Sequence, residues 1–153
     1  MSELSDSSIY ISDLKAFSDK MWILNYGTKT PLISLDNNYN WSLYDLGNID
    51  EIFPVKFEFV DDKVVFIILD KSRGGGVLFF NIETSEALSM TSINGRLSSN
   101  LVNDIDIDKN GFVWVASDQG LIYFLSHQVK DIDDYFVPND GVQNIFPVSY
   151  THL

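Results

Sequence analysis

Residues 97–124 read LSSNLVNDIDIDKNGFVWVASDQGLIYF, and this stretch decides the fold. The Asn110-Gly111 step is the strongest short hairpin signal in a sequence, because both central residues of a type I′ turn need a positive φ. Gly120 gives the backbone the same freedom at the next reversal. The segments between these turns show no helical period. The stretch therefore predicts three antiparallel strands, at 101–107, 112–117 and 121–125.

The same pattern of turns and strands occurs twice more upstream. One segment predicts strands at 55–60, 64–69, 77–82 and 87–91, and an earlier one predicts strands at 9–17, 21–26, 31–35 and 41–46. The second strands begin at Met21, Val64 and Phe112, which lie 43 and 48 residues apart. Four-stranded propeller blades repeat about every 40–50 residues. The spacing therefore predicts three blades, whose boundaries we place at 1–50, 51–96 and 97–146.

The second strands read MWIL, VVFIIL and FVWVA and are apolar on both faces. Such strands are normally buried on both sides, and small antiparallel sheets bury both faces when they stack as propeller blades do. We therefore predict an all-β fold, a partial β-propeller of about three four-stranded antiparallel blades. Closed rings take roughly 4–8 blades, so the ring is not closed. A β-sandwich is the competing fold, and it predicts cleaner alternation on most strands.

The composition excludes several kinds of site and partner. The 153 residues include no Cys, which excludes disulfides and Cys-based zinc sites. A formal net charge of −12 argues against nucleic acid as a partner, because phosphate contacts need Lys and Arg. The longest apolar runs, at 64–69 and 77–80, are far shorter than the roughly 18 residues of a membrane-spanning helix. Gly74-Gly75-Gly76 is not followed by Gly-Lys-Ser/Thr, so we expect no phosphate-binding loop and no cofactor.

The two ends of the chain carry little structural information. No basic and apolar leader precedes the first predicted strand, so this segment shows no signal peptide. The last six residues, VSYTHL, resemble translated adaptor sequence, and we interpret residues 147–153 as an adaptor-derived tail. The alternative is an ordinary polar C-terminus.

Three short motifs in the last predicted blade resemble the two-component regulator propeller repeat. They are LSSNLV at 97–102, DKNGFVWV at 108–115 and SDQGL at 117–121. The family pattern has a Leu-Pro-Ser-Asn lead-in, then Asp-x-x-Gly before a Trp strand, then Gly-Thr-Asp-x-Gly-Leu. This chain departs from it at Ser98, where Pro is usual, and at Ala116-Ser117, where Gly-Thr is usual. We expect a structural role for the repeat-motif residues Asp108, Asn110, Gly111, Trp114, Asp118 and Gly120.

The middle segment adds a narrower resemblance. Residues 54–59 and 74–80 are similar to the N-terminal propeller of the PorZ-like proteins of type IX secretion, in which a triple-Gly blade precedes an Asn-Gly-Phe-x-Trp blade. The motifs together cover residues 54–126, and the first blade matches only in its period. The resemblance implies no catalytic residues. It implies a location outside the cytoplasm (periplasm or cell surface), a protein or glycan ligand, and further blades of the same parent chain as partners.

The predicted function is a non-enzymatic recognition or scaffold module of an exported bacterial protein, resembling the N-terminal propeller of a type IX secretion surface component. One alternative is the periplasmic sensory ectodomain of a hybrid two-component histidine kinase. Kinase modules in the parent protein would mark that sensor, whereas a C-terminal sorting domain would mark the secretion component. A second alternative is a fragment of a propeller hydrolase or lyase, which needs convergent acid–base groups in the central channel.

Few residues stand out as candidates for binding. Trp41 begins an outer strand and is the Trp best placed for exposure, and Arg73 precedes the Gly run and is a candidate for the mouth of the channel. Asp106, Asp108 and Asn110 match the opening of a calcium loop, but the twelfth position lacks the bidentate Glu of such loops. We therefore expect no metal site and interpret these residues as a hairpin turn whose side chains bond their own backbone.

Overall fold

The structure is a computed structural model, and it describes residues 9–46, 51–94, 96–130 and 143–145 of the 153-residue chain. In this part of the chain, twelve strands form three antiparallel sheets of four strands each. The prediction of an all-β fold is confirmed: the chain is a partial β-propeller of three blades, and its ring is not closed. The predicted tail at residues 147–153 lies outside the described residues.

Each blade is built from four consecutive strands. Blade 1 contains β1 (Ile11–Phe17), β2 (Lys20–Asn25), β3 (Leu32–Leu35) and β4 (Trp41–Tyr44). Blade 2 contains β5 (Pro54–Phe59), β6 (Val64–Leu69), β7 (Val77–Asn81) and β8 (Ala87–Met90). Blade 3 contains β9 (Val102–Ile107), β10 (Phe112–Ser117), β11 (Gly120–Leu125) and β12 (Gln143–Ile145). Neighbours in sequence are neighbours in each sheet, because most of the connections are short turns.

The first strands of the three blades lie side by side. β1 contacts β5, and β5 contacts β9. Blades fan out from a central channel in a propeller, so β1, β5 and β9 form the axial side of the arc. This arrangement places the side chains of three different sheet edges on one surface.

Two hydrophobic clusters hold the blades together. Val65 and Ile67 of β6 belong to the cluster between blades 1 and 2, whereas Phe66 and Ile68 belong to the cluster between blades 2 and 3. All four side chains are buried. Successive residues of a strand point to opposite faces, so a strand between two neighbours has to be apolar at every position. This is the physical reason for the continuous apolar run in the sequence.

Aspartate side chains organise the tight turns. In the β9–β10 hairpin, the Asp108 carboxylate accepts hydrogen bonds from the backbone N–H groups of Asn110 at 2.8 Å and Phe112 at 3.0 Å. Gly111 in the same turn has a φ of +87°. The carboxylate satisfies N–H groups that the strands leave unpaired, which is why Asp is favoured at such positions.

One short helix, α1 (Ser126–Lys130), follows β11 and was not predicted. Five residues are too few to show a helical period. Tertiary contacts stabilise it instead, because Val129 is fully buried against the cluster between blades 2 and 3. No helix in the described ranges has the length and apolar character needed to cross a membrane.

Candidate functional site

A groove with two depressions lies on the axial side, at the edge of the three sheets where the first strands begin. The depressions have volumes of about 450 and 330 Å³ and share Val55 and Asp70 as a ridge. The first lies between blades 1 and 2 and is also lined by Tyr10, Ile11, Ser12 and Tyr26. The second lies between blades 2 and 3 and is also lined by Lys56, Ile68, Lys71, Ser72, Val102 and Asn103. We call these residues together the mouth groove.

A third depression, of about 510 Å³, lies at the opposite edge of the sheets, where the first strands end. It surrounds the β1–β2 hairpin and is lined by residues of blade 1 alone. The mouth groove differs from it in drawing residues from all three blades, so its shape depends on the propeller arrangement. Sites at the junction of several elements are the usual places for ligands.

Asp70 forms the charged part of the ridge. It follows β6 and caps the short 3₁₀ turn Lys71–Arg73, where its carboxylate accepts hydrogen bonds from the Ser72 amide at 2.9 Å and the Ser72 hydroxyl at 2.8 Å. The Tyr26 hydroxyl donates to the other carboxylate oxygen. The bond from Tyr26, followed by those from Ser72, lowers the pKa of Asp70. The same bond to Asp70 raises the pKa of Tyr26, so Asp70 is anionic and Tyr26 neutral at neutral pH.

A row of aromatic rings borders the first depression. The ring centroids of Tyr10 and Tyr26 are 5.4 Å apart, and those of Tyr26 and Phe53 are 5.2 Å apart. The Arg73 guanidinium lies 4.3 Å from the Phe53 centroid, within the range of a cation–π contact. Tyr10 is 66% exposed, so a flat apolar surface with a polar tip faces solvent next to the Asp70 carboxylate.

Ion pairs tie the axial strands together. Lys56 of β5 contacts Asp104 of β9 at 2.5 Å, and Lys15 of β1 contacts Glu58 of β5 at 3.2 Å. The hydrogen bond between Lys56 and Asp104 raises the pKa of Lys56 and lowers the pKa of Asp104. Both ion pairs hold the first strands of neighbouring blades against each other, and Lys56 also lines the mouth groove.

Two hydrogen bonds also join neighbouring blades along the mouth groove. Lys71 donates to the Asn103 side-chain oxygen, which joins the turn after β6 to β9. The Ser12 hydroxyl of β1 donates to the Pro54 carbonyl of β5 at 2.7 Å. Both depressions of the groove are therefore crossed by a contact between neighbouring blades.

The repeat-motif residues serve the architecture of blade 3. The Trp114 indole N–H donates to Asp108 at 2.9 Å, and the Trp114 ring stacks on Tyr123 with centroids 4.7 Å apart. The hydrogen bond from Trp114 lowers the pKa of Asp108. Asn110 and Gly111 lie in the β9–β10 hairpin, at the edge of the sheet away from the mouth groove.

The second half of the motif lies at the mouth end. Asp118 and Gly120 form the β10–β11 turn, and the Asp118 amide donates to the Leu101 carbonyl at 3.1 Å. Gly120 has a φ of +123°, a conformation that favours glycine. The turn is thereby fixed to the lead-in of β9.

The weaker candidates are dispersed through the molecule. Trp41 is half-buried in β4, on the outer side of blade 1, and Arg73 stacks beside the mouth groove. The Asp106 carboxylate accepts a hydrogen bond from the Ile107 amide at 2.9 Å, whereas Asp108 is surrounded by N–H donors. Within the described ranges, no group of three or more His, Cys, Asp or Glu side chains is placed to hold a metal ion.

The central residues of the mouth groove were not predicted from the sequence. Tyr10, Tyr26 and Asp70 belong to two different blades, and Tyr26 and Asp70 are 44 residues apart. Their shared property is position, because each lies just outside a strand at the same end of its sheet. A list of polar and aromatic residues at equivalent strand ends would have selected them.

The solved structures that are similar to this chain include two that share its fold. The first is the extracellular domain of a protein assigned as a hybrid two-component system of B. thetaiotaomicron; it is 15% identical, with a TM-score of 0.59, over 88% of this chain and 17% of that chain. The second is the extracellular domain of a protein assigned as a one-component system of the same organism, which is 13% identical, with a TM-score of 0.50, over 97% of this chain and 23% of that chain. The chain thus spans less than a quarter of each. No family model matches the sequence, and no curated protein matches it.

Proposed function

We propose that this chain is a non-enzymatic recognition module of an exported bacterial protein, and that the mouth groove holds its ligand. The observation that carries the proposal is the junction of three blades around Val55 and Asp70. An exposed aromatic ring, an anionic carboxylate and an amide side chain lie within one concave surface. A glycan or a peptide offers hydroxyl, amide and apolar groups that suit such a surface.

The electrostatics of the groove support binding rather than proton transfer. A general acid or base works best when its pKa is near the operating pH. The contact between Tyr26 and Asp70 moves both pKa values away from neutral pH. It raises the pKa of Tyr26 from 10.0 and lowers the pKa of Asp70 from 3.8. This argument disfavours the propeller hydrolase or lyase.

The parent protein can be a sensor or a secretion component. The two similar folds belong to extracellular domains of proteins assigned as two-component and one-component systems, which supports a periplasmic sensory ectodomain. The triple-Gly segment and the Asn-Gly-Phe-x-Trp hairpin support a PorZ-like component of type IX secretion. Both parents place the module outside the cytoplasm, so the recognition function does not depend on the choice.

A binding screen with one groove variant and one matched control tests the proposal. The probes are soluble oligosaccharides and short peptides, examined by thermal shift and then by titration calorimetry. Tyr10→Ala removes a ring that is 66% exposed in the groove, and Tyr39→Ala removes a ring that is 77% exposed in the β3–β4 turn. Loss of a central aromatic contact should weaken binding about tenfold or more, whereas Tyr39→Ala should leave the affinity unchanged.

Two results would contradict the proposal. One is the absence of binding by every probe in the screen. The other is a bound probe whose affinity is the same for wild type and Tyr10→Ala. Asp70→Asn gives an independent check, because it removes the charge of the ridge but keeps its shape.

A further inference from the structure

The first strand of each blade contains a β-bulge at the same position. In β1 the extra residue is Ser12, which the pairing with β2 leaves out between Ile11 and Asp13. Val55 is the extra residue of β5, and Asn103 is that of β9. These three residues lie 43 and 48 residues apart, as do the starts of the second strands in the sequence. The bulge is therefore a repeated feature of the blades.

The bulges interrupt the alternation of buried and exposed side chains. In a regular strand, a single residue separates two that point to the same face. In β9, Val102 and Ile105 are buried, and two exposed residues lie between them instead of one. In β5, two residues that are not buried likewise lie between the buried Pro54 and Phe57. A bulge of this kind re-aims a side chain, and bulges are common beside functional sites.

The bulged residues form a row across the mouth groove. Ser12 lines the first depression, Asn103 lines the second, and Val55 lies on the ridge between them. The Ser12 hydroxyl donates to the Pro54 carbonyl at 2.7 Å, so its oxygen is left to accept from a ligand. A hydroxyl, an isopropyl group and an amide therefore occupy equivalent positions of the three blades, and the two depressions differ in what they offer a ligand.

The contact with Lys71 fixes the orientation of the Asn103 amide. An ammonium group can only donate hydrogen bonds, so the Asn103 oxygen faces Lys71 and accepts from it. The amide nitrogen lies on the other side of the group and carries two N–H donors, for which the described residues supply no acceptor. The second depression therefore presents hydrogen-bond donors to a ligand.

Lys71 adds a positive charge to these donors. It begins the 3₁₀ turn that Asp70 caps, which holds its backbone beside the groove. Its side-chain partner Asn103 is uncharged, and the ion pairs between described residues do not include Lys71. Lys56, the other cation that lines the second depression, is neutralised by Asp104 at 2.5 Å. Lys71 is thus the lining cation that retains its charge for a ligand.

We propose that the second depression is a subsite for a carboxylate group, bound by the Asn103 amide N–H and the Lys71 ammonium. This proposal rests on the proposed function of the mouth groove as a binding site. A carboxylate accepts hydrogen bonds from both groups, and the bond from the ammonium is charge-assisted. The net charge of −12 repels anions from the chain as a whole, so binding one requires a local arrangement of donors such as this.

The Asp70 carboxylate on the ridge is engaged in other contacts. Its two oxygens accept hydrogen bonds from the Tyr26 hydroxyl and from the amide and hydroxyl of Ser72. A ligand carboxylate can therefore contact Lys71 without displacing an ion pair that Lys71 already makes. The first depression, with the Tyr10 ring and the Ser12 oxygen, is left for an uncharged part of the same ligand.

Titration calorimetry with the acid and neutral forms of one probe tests this subsite. Two probe pairs distinguish the sources of a carboxylate: a galacturonic acid trisaccharide with its methyl ester, and the tripeptide Ala-Tyr-Ala with a free or an amidated C-terminus. We expect the acid form of one pair to bind about tenfold tighter than its neutral form, which is the size of one charge-assisted hydrogen bond. Added salt should reduce this preference.

Two substitutions and a matched control locate the preference. Lys71→Met removes the charge but keeps an apolar stem, so the acid and neutral forms should bind about equally. Asn103→Asp keeps the size of the side chain and its contact with Lys71 but replaces the N–H donors, so it should also abolish the preference, whereas a purely structural role would tolerate it. Lys63→Met makes the same change of net charge in the β5–β6 turn, where Lys63 pairs with Glu83 at 3.3 Å, and should leave the preference intact. Circular dichroism checks that each variant keeps its strands.

Failure of this proposal and failure of the proposed function give different results. If no probe binds, both are wrong. If a probe binds and loses affinity in Tyr10→Ala, but its acid and neutral forms bind equally, the groove is a binding site without a carboxylate subsite. A preference for the acid that persists in Lys71→Met and Asn103→Asp, or that disappears in Lys63→Met, would also overturn the proposal.

Discussion

The triple glycine between β6 and β7 contacts the segment that leads into blade 3, and adding one methyl group to a glycine tests this contact. Gly76 N–H donates to the Asn100 carbonyl at 2.8 Å, which joins the connection of blade 2 to the lead-in of blade 3. A Cβ placed on Gly75 would lie 2.1 Å from the same carbonyl oxygen, whereas a Cβ on Gly74 would meet no atom within 4 Å. Gly75→Ala and Gly74→Ala are therefore a matched pair.

The two substitutions share one cost and differ in two others. Gly74 has a φ of +103° and Gly75 of +68°, so an alanine at either position is strained by about 1–3 kcal/mol. Gly75→Ala must also separate the two loops, which costs about 1–3 kcal/mol of misfit. It also breaks the hydrogen bond to Asn100, which contributes about 0.5–1.5 kcal/mol. Gly75→Ala should therefore lose about 2–4 kcal/mol more free energy of unfolding than Gly74→Ala.

Urea unfolding followed by tryptophan fluorescence measures both losses at one chain concentration. Amide hydrogen exchange gives a local readout, because the Gly76 N–H should exchange faster in Gly75→Ala and at the wild-type rate in Gly74→Ala. Losses that agree within about 0.5 kcal/mol, the typical size of a neutral surface change, would refute the contact between the two blades. Unchanged protection of Gly76 in Gly75→Ala would refute it as well.

Three further substitutions test other contacts. Trp114→Phe removes the hydrogen bond that holds the pKa of Asp108 below 3.8, so an NMR titration should show that pKa rising. In the wild type, this bond contributes stability at pH values above the pKa that Asp108 has in the unfolded chain. The contribution is lost as the pH falls through the pKa of Asp108 in the folded protein, so Trp114→Phe should flatten the acid limb of the stability curve. An unchanged acid limb contradicts this. Lys56 and Asp104 are both partly exposed, and a double-mutant cycle should give a coupling of no more than about 1 kcal/mol that shrinks with salt; a larger, salt-independent coupling would mean that the pair is buried. Phe66→Ala should lose about 3–5 kcal/mol in urea unfolding, and a loss below about 1 kcal/mol would show that Phe66 does not lie between two blades.

The strands were predictable because turn chemistry and apolar runs both act locally. The predicted ranges 64–69 and 112–117 coincide with β6 and β10, where a turn residue lies at each end of a continuous apolar run. Other strand ends differ by one or two residues, as at β1, which begins at Ile11 rather than at residue 9. Pairing at such ends depends on the partner strand, and single-residue patterns do not report it.

The mouth groove was not predictable in the same way, because its geometry depends on the angle between blades. Tyr26 and Asp70 contact each other across blades 1 and 2. Nothing in either local sequence requires this contact, since Asp70 has a sufficient local role as the cap of a 3₁₀ turn. A residue with a local structural role is easily overlooked as a binding residue.

The repeat period nevertheless contains long-range information. The ion pair between Lys15 and Glu58 spans 43 residues, and the pair between Lys56 and Asp104 spans 48. These separations equal the offsets between successive second strands, so each pair joins equivalent positions of adjacent first strands. The first strands lie side by side around the axis, and opposite charges one repeat apart are therefore adjacent in space. In a propeller sequence, charge alternation at the repeat period on first strands predicts which axial residues will pair, before any coordinates exist.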